Sequence, residues 1–155
     1  MNFFYAKPDD LQKWLEVADD VGEIMRVPDM STNENFLEYA KRKLKQDNTI
    51  MAIDNENNKC AGVVGFSRTN NSITWLGVKA KYRRLGIGSK LIKMALNELN
   101  HNDTITVNTY PSNYSPGKPA RDLYSKHGFI ETNGDVFLIE GLEMVEFSIK
   151  PDVRN

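Results

Sequence analysis

The stretch from Ser72 to Thr109 constrains the fold more than any other part of the sequence. Ser72 to Val78 is a β-type run, and Arg83-Arg84-Leu85-Gly86-Ile87-Gly88 is a glycine-bracketed turn. Gly86 to Leu99 then carries apolar residues at helical spacing, and Thr104 to Thr109 is β-type again. Strand, helix and strand in direct succession form a parallel crossover, which turns right-handed and lays its helix on one face of the sheet. The chain must therefore build a sheet around at least one parallel pair.

The rest of the chain fits around that unit. Pro8-Asp9 marks a helix start, and Leu11, Trp14, Leu15, Ala18 and Val21 follow at helical spacing. Ser31-Thr32-Asn33-Glu34 has the form of a capping box, with Ser31 and Glu34 satisfying backbone donors, before a second helix that runs to about Lys45. Thr49 to Asp54, Cys60 to Arg68 and Ser72 to Val78, separated by tight polar turns, read as an antiparallel meander. A short helix fits Pro119 to His127 and is ended by Gly128; strands at Phe129 to Thr132 and Met144 to Lys150 close the order βααβββαβαββ. No linker or repeat divides the 155 residues, and the reading is one domain, 1–155.

Composition narrows the function classes. Hydrophobic residues at 40% and charged residues at 26% suit a soluble globular chain, and no segment reaches the roughly 20 apolar residues of a membrane span. The N-terminus does not read as a secretory leader, and the single cysteine, Cys60, cannot form an internal disulfide, so a cytoplasmic protein is expected. A net charge of −1 argues against a dedicated nucleic-acid binder. Between Lys79 and Lys93, however, six residues are basic and none acidic. Nucleic-acid binding through that patch would show as salt-dependent affinity that a nucleotide-like ligand does not compete away. His101 and His127 lie near helix ends without a ligand set at metal spacing, so no metal is expected. Cys60, Trp14 and Phe36 read as packing residues.

The local bias gives the glycine turn two readings: punctuation before an ordinary helix, or an anion seat. In favour of the seat, the first turn of a helix offers unpaired N–H groups and the positive end of its dipole, and glycines let the backbone approach a ligand oxygen. GxxxxGK[ST] is absent, and Leu91 stands where a dinucleotide GxGxxG loop needs glycine.

Arg83 to Gly88 resembles the [RQ]xxGx[GA] loop of the GNAT acetyltransferase superfamily. Ile73-Thr74-Trp75-Leu76-Gly77-Val78 is similar to that family's central strand, and Leu123-Tyr124-Ser125-Lys126-His127-Gly128-Phe129 to its LYxKxGF segment. The resemblance implies an α+β (mixed α/β) fold with a central, mostly antiparallel sheet of about six to seven strands flanked by about four helices. It also implies an enzyme that moves acetyl from acetyl-CoA to a primary amine by direct attack in a ternary complex. The alternative within that fold is a non-catalytic acyl-CoA-binding or regulatory module. The expected partners are acetyl-CoA and an amine acceptor, without nucleic acid or membrane, and the C-terminal strand could pair across a homodimer.

Site residues follow from the same resemblance. The pyrophosphate is expected on the backbone amides of Arg84, Leu85, Gly86, Ile87, Gly88 and Ser89, with Arg83 in support. The pantetheine arm is expected along Leu76, Gly77 and Val78, pairing as a strand adds to a sheet edge. Gly77 is the expected bulge, or else a packing glycine, where this strand splays from Ile105 to Asn108. Val78 N–H is the expected oxyanion donor. Tyr124 is the expected general acid for the departing thiolate, with a core aromatic as its competing role. Gly117 stands where the family often carries a cofactor-binding asparagine, and Asn113 is the expected substitute from the loop YPSNYSPGKP. Asn108 cannot be a base but could orient a water or the acceptor; Glu23, Glu34 and Glu38 are candidates for the base, with none singled out.

Overall fold

The sheet forms around the crossover in the order β1-β2-β3-β4-β5-β8-β6, with β7 paired to β8 beside this path. A computed structural model describes residues 1–151, and the last four residues of the expected domain, 152–155, lie outside the described residues. The strands are β1 (Asn2–Tyr5), β2 (Thr49–Asp54), β3 (Lys59–Ser67), β4 (Ser72–Val78), β5 (Ile105–Thr109), β6 (Ile130–Glu131), β7 (Phe137–Ile139) and β8 (Leu142–Ile149). The helices are α1 (Leu11–Val21), α2 (Glu34–Lys45), α3 (Ile87–Asn97) and α4 (Lys118–Lys126). Every pairing is antiparallel except β4 with β5, which is parallel and carries α3 as its crossover.

Two local readings are corrected. The cap of α2 is Asn33, whose side chain accepts from Phe36 N–H at 3.0 Å, while Ser31 lies in a 3-10 turn before it. Asparagine caps as well as serine, so chain direction decides between them. The sheet also has one strand more than expected. Phe137–Ile139 is a three-residue run turned back on Leu142–Met144 by Glu140 and Gly141, both at positive φ (49° and 82°), the conformation of a two-residue hairpin. So short a run between Asn133-Gly134 and Glu140-Gly141 gives little alternation to read.

Each sheet face has its own core. Leu91, Ile92 and Ala95 of α3 pack with Val64, Phe66, Ile105 and Val107, and Tyr124 and Phe129 belong to the same cluster. On the other face Trp14, Val17 and Ala18 of α1 and Ala40 and Leu44 of α2 pack with Met51 and Val63. Trp14, Phe36, Tyr39 and Trp75 are joined by tilted and edge contacts of 5.7 to 6.1 Å between centroids. Trp14, Phe36 and the buried Cys60 are core residues, as read from the sequence. Burial pushes the Cys60 thiol up to about 12, which leaves it inert as a nucleophile. Among the described residues, no helix is long and apolar enough to cross a membrane.

Candidate active site

The strands β4 and β5 pair only at Ser72 with Thr106 and Ile73 with Val107, and then part. The cause is a bulge. Gly65 pairs with Trp75 while the next residue of β3, Phe66, pairs with Ile73, so Thr74 is the extra residue on β4. The bulge expected at Gly77 therefore lies at Thr74, and Gly77 pairs regularly with Val63. Gly77 is instead a packing glycine: a Cβ there would stand 2.6 and 2.8 Å from the Trp75 ring. Tyr39 of α2 fixes the bulge from below, its hydroxyl 2.5 Å from Thr74 Oγ1. Gly65 leaves room for that hydroxyl, since a Cβ there would lie 2.5 Å from it.

Beyond the bulge, one edge of β4 is open. Lys79 N–H donates to Ala61 O at 2.9 Å, which turns the backbone groups of residue 79, and by alternation those of Gly77, toward β3. The N–H and C=O of Leu76 and Val78 thus point into the gap. Arg83 Nε donates to Val78 O from that side at 3.4 Å. The gap is the floor of a cleft of about 710 Å³ lined by β4, the Arg83–Ser89 turn, the end of β5, the loop after it and α4.

At one end of the cleft lies the glycine turn. Gly86 has φ +81°, and Arg84 is also left-handed at φ +64°. The first helical bond of α3 runs from Lys90 N–H to Gly86 O, and the N–H groups of Arg84 through Ser89 make no hydrogen bond among the described residues. The turn presents six unpaired amides and a helix N-terminus, Arg83, Arg84 and Lys126 line the same cleft, and among the described residues no carboxylate lines it. The arrangement suits a polyanion. Gly88 has a steric role as well, because a Cβ would stand 2.9 Å from Leu123 Cδ2 of α4. Ser89 Oγ lies 2.7 Å from His127 Nε2 at the C-terminus of α4. Partial burial, then Lys126 and Lys93, lower the His127 pKa.

Tyr124 of α4 also lines the cleft. Its ring is buried in an edge contact with Phe129, centroids 5.7 Å apart, while its hydroxyl has no hydrogen-bond partner among the described residues and the residue lines the cleft. Burial, with a smaller contribution from Tyr39, pushes the phenol pKa well above its ordinary value. Tyr124 is thus a core aromatic by its ring and a cleft residue by its position.

The far wall is built by the YPSNYSPGKP loop. Tyr110 donates to Met25 O, and Tyr114 donates to Ile24 O at 2.7 Å with Arg26 stacked 3.7 Å over its ring. Arg121 Nη1 donates to Pro111 O and Tyr114 O at 3.1 and 3.2 Å. The loop is therefore a strap across the cleft to the segment after α1, and Ile24, Met25, Trp75, Tyr110 and Met144 give that half an apolar wall.

Most of the expected site residues meet at this cleft: Leu76, Gly77, Val78, Arg83, Arg84, Gly86, Ile87, Gly88, Ser89 and Tyr124 all line it. Leu85 is 66% exposed and outside the lining, so its unpaired backbone N–H is what it offers at the turn. Asn113 is exposed and outside the lining, because the Arg121 and Tyr114 contacts turn that part of the strap outward. Glu23, Glu34 and Glu38 are exposed and do not line it either. Sequence reasoning missed Thr74, Tyr39 and the docking role of Tyr110 and Tyr114. A threonine on an alternating strand gives no sign of a bulge, whereas two tyrosines in a long loop were a usable signal.

A family profile for the acetyltransferase (GNAT) domain matches residues 21–151. No curated protein matches the sequence. Among solved structures, the chain is similar to a GNAT-family acetyltransferase from Bacillus cereus ATCC 10987, with 21% identity, 98% of each chain covered and a TM-score of 0.69. It is also similar to the diaminobutyrate acetyltransferase EctA from Paenibacillus lautus in complex with L-2,4-diaminobutyric acid and coenzyme A, with 16% identity, 99% of this chain and 96% of that chain covered, and a TM-score of 0.73. A chain of the NatC complex bound to Gag peptide and CoA has 21% identity, 98% of this chain and 100% of that chain covered, and a TM-score of 0.69. At these identities the structural likeness is one of fold, but the profile spans most of the sequence, and by it the chain belongs to the GNAT family of N-acetyltransferases.

Proposed function

We propose that the protein transfers acetyl from acetyl-CoA to a primary amine by direct attack in a ternary complex. The observation that carries this reading is the parted edge of β4, with six unpaired amides at one end and the buried Tyr124 beside it. The pyrophosphate sits on the amides of Arg84 to Ser89, with Arg83, Arg84 and Lys126 as supporting charge. The pantetheine arm runs back along β4 toward the bulge and pairs with its open edge. The arm meets Val78 first, and its acyl end, farthest from the pyrophosphate, reaches Leu76. That order moves the oxyanion role expected of Val78 to Leu76 N–H, about 6.7 Å nearer the bulge, and leaves Val78 to hold the arm.

Tyr124 supplies the proton for the departing thiolate. An ordinary phenol at about 10 is a weak donor to a thiolate whose acid is near 8.5. In a dry cleft, however, the emerging thiolate is also desolvated and its proton affinity rises with that of the phenol. The amine enters from the opposite side, along the apolar wall under the strap. Two of the similar structures hold a diamine and a peptide together with CoA, which supports an amine acceptor as the class.

Thiol release from acetyl-CoA over a panel of amine acceptors tests the reading, since a non-catalytic CoA-binding module would bind CoA and release no thiol in proportion to amine. Within that assay, Tyr124→Phe is expected to lower kcat on the order of 10²-fold with acetyl-CoA affinity nearly unchanged. Unchanged turnover at all pH values would remove Tyr124 from the mechanism.

A further inference from the structure

The transfer leaves one proton without a destination, the one lost by the attacking amine. We propose that Glu146, working across Asn108, accepts it; the proposal rests on the transferase reading above. The sheet register brings these residues together. Ile73, Val107 and Phe147 are lateral neighbours with Val107 and Phe147 in the core under α3, so the next residues along, Asn108 and Glu146, share the opposite face. That face is also the one on which the Thr74 hydroxyl meets Tyr39. A polar row, Thr74, Asn108, Glu146 and Thr132, therefore crosses the point where β4 and β5 part, on the side away from the glycine turn and Tyr124.

The row is placed where an amine arrives. Thr74 and Asn108 are exposed in the cleft, and Met144, two residues before Glu146 on β8, lines it too. Asn108 and Glu146 are paired residues of adjacent antiparallel strands, which puts their Cβ atoms about 5 Å apart. One water, oriented by the Asn108 amide, spans from the cleft to the carboxylate. Glu146 is held for this: Thr132 Oγ1 donates to its Oε1 at 2.9 Å, and Ser148 Oγ, on a buried residue, lies 3.0 Å from Thr132 Oγ1. Oε2 makes no hydrogen bond among the described residues and is available to a new donor.

The chemistry balances with this assignment. An alkylammonium with a pKa of about 10.4 has no lone pair with which to attack, so the acceptor reacts as the neutral amine. The neutral amine attacks the thioester carbon, the N–C bond forms, and the carbonyl oxygen becomes an oxyanion on Leu76 N–H. Nitrogen in that adduct is positively charged and strongly acidic, and its proton passes to Glu146 through a water that Asn108 orients. The oxyanion collapses, the C–S bond breaks, and sulfur takes the proton of Tyr124. The amine has lost one hydrogen and the thiol has gained one; Glu146 then releases its proton to solvent and Tyr124 recovers one.

The test is steady-state thiol release by wild type, Glu146→Gln and Glu146→Asp, with acetyl-CoA and an acceptor found in the panel. Glu146→Gln keeps an acceptor for Thr132 and is expected to lower kcat on the order of 100-fold near pH 7, with the KM for acetyl-CoA and the melting temperature unchanged. The loss is expected to shrink as hydroxide becomes available at higher pH, and Glu146→Asp to restore part of the rate. A Glu146→Gln variant turning over within twofold of wild type overturns the proposal. So does one that raises only the KM for the amine, since that is an electrostatic anchor and not a proton acceptor. If Glu146→Gln does not fold, Asn108→Ala at its exposed position is measured in its place, and an unchanged kcat there overturns the proposal. Wild type that releases no thiol in proportion to any amine of the panel overturns the transferase reading as well, a result distinct from an active wild type with an indifferent variant.

Discussion

Replacing Gly77 by alanine adds one methyl group to the wall between the two halves of the cleft. That methyl would stand 2.6 and 2.8 Å from Trp75 Cη2 and Cζ3 and 3.3 Å from Val21 Cγ2, where carbon atoms normally sit 3.5 to 4.0 Å apart. The indole must shift by about 1 Å, and it has little freedom, with Trp14 and Phe36 each 5.7 Å away. Overpacking of this kind costs about 1–3 kcal/mol, which for a domain of this size lowers the melting temperature by on the order of 5 °C. Trp75 lines the acceptor half, while the cofactor half is made of main-chain groups that an alanine leaves in place. The KM for the amine is therefore expected to rise several-fold, with that for acetyl-CoA nearly constant. Thermal melts and steady-state kinetics on Gly77→Ala, Trp75→Leu and the double variant read the coupling directly, since alanine should cost almost nothing once the indole is gone. An alanine variant that melts with wild type, or a cost that persists in the Trp75→Leu background, would refute the packing argument.

Tyr114→Phe keeps the ring under Arg26 but removes the 2.7 Å bond to Ile24 O, and is expected to cost about 1 kcal/mol and to speed proteolytic nicking of the strap before the sheet unfolds. Nicking at the wild-type rate would show that the strap is held elsewhere. Burial lowers the folded-state pKa of His127 below the ordinary 6.5, so the unfolded chain binds the proton more readily. The contribution of His127 to stability is then complete above about 6.5 and declines as pH falls toward the lowered folded value. Denaturant melts from pH 7.5 to 5 should show a decline that His127→Gln removes, and equal slopes for the two proteins would contradict it.

Every helix and every strand but β7 was legible in order, because each is written in local terms. The 3.6-residue spacing of Leu11 to Val21 and the strand-turn-helix-strand run from Ser72 to Thr109 need no distant partner to be read, and Arg83 to Gly88 marks a family when read with Ile73 to Val78 and Leu123 to Phe129. Backbone chemistry was legible for the same reason: the unpaired amides of Arg84 to Ser89 follow from a glycine turn opening a helix, whatever packs around it. Side chains that act through another element were not legible. Only pairing with β3 shows that the extra residue of β4 is Thr74 and not Gly77, since a bulge is a relation between two strands. Only the docking of Tyr110 and Tyr114 on Met25 and Ile24, 85 and 90 residues away in the chain, turns a long loop into a wall and swings Asn113 out of the cleft. Glu146 stands 38 residues after Asn108 in sequence and one strand away in the sheet, and register alone brings the two together. Propensity and periodicity act over a few residues, whereas a site is assembled by contacts that the chain closes over tens of residues, and those are decided only when the sheet forms.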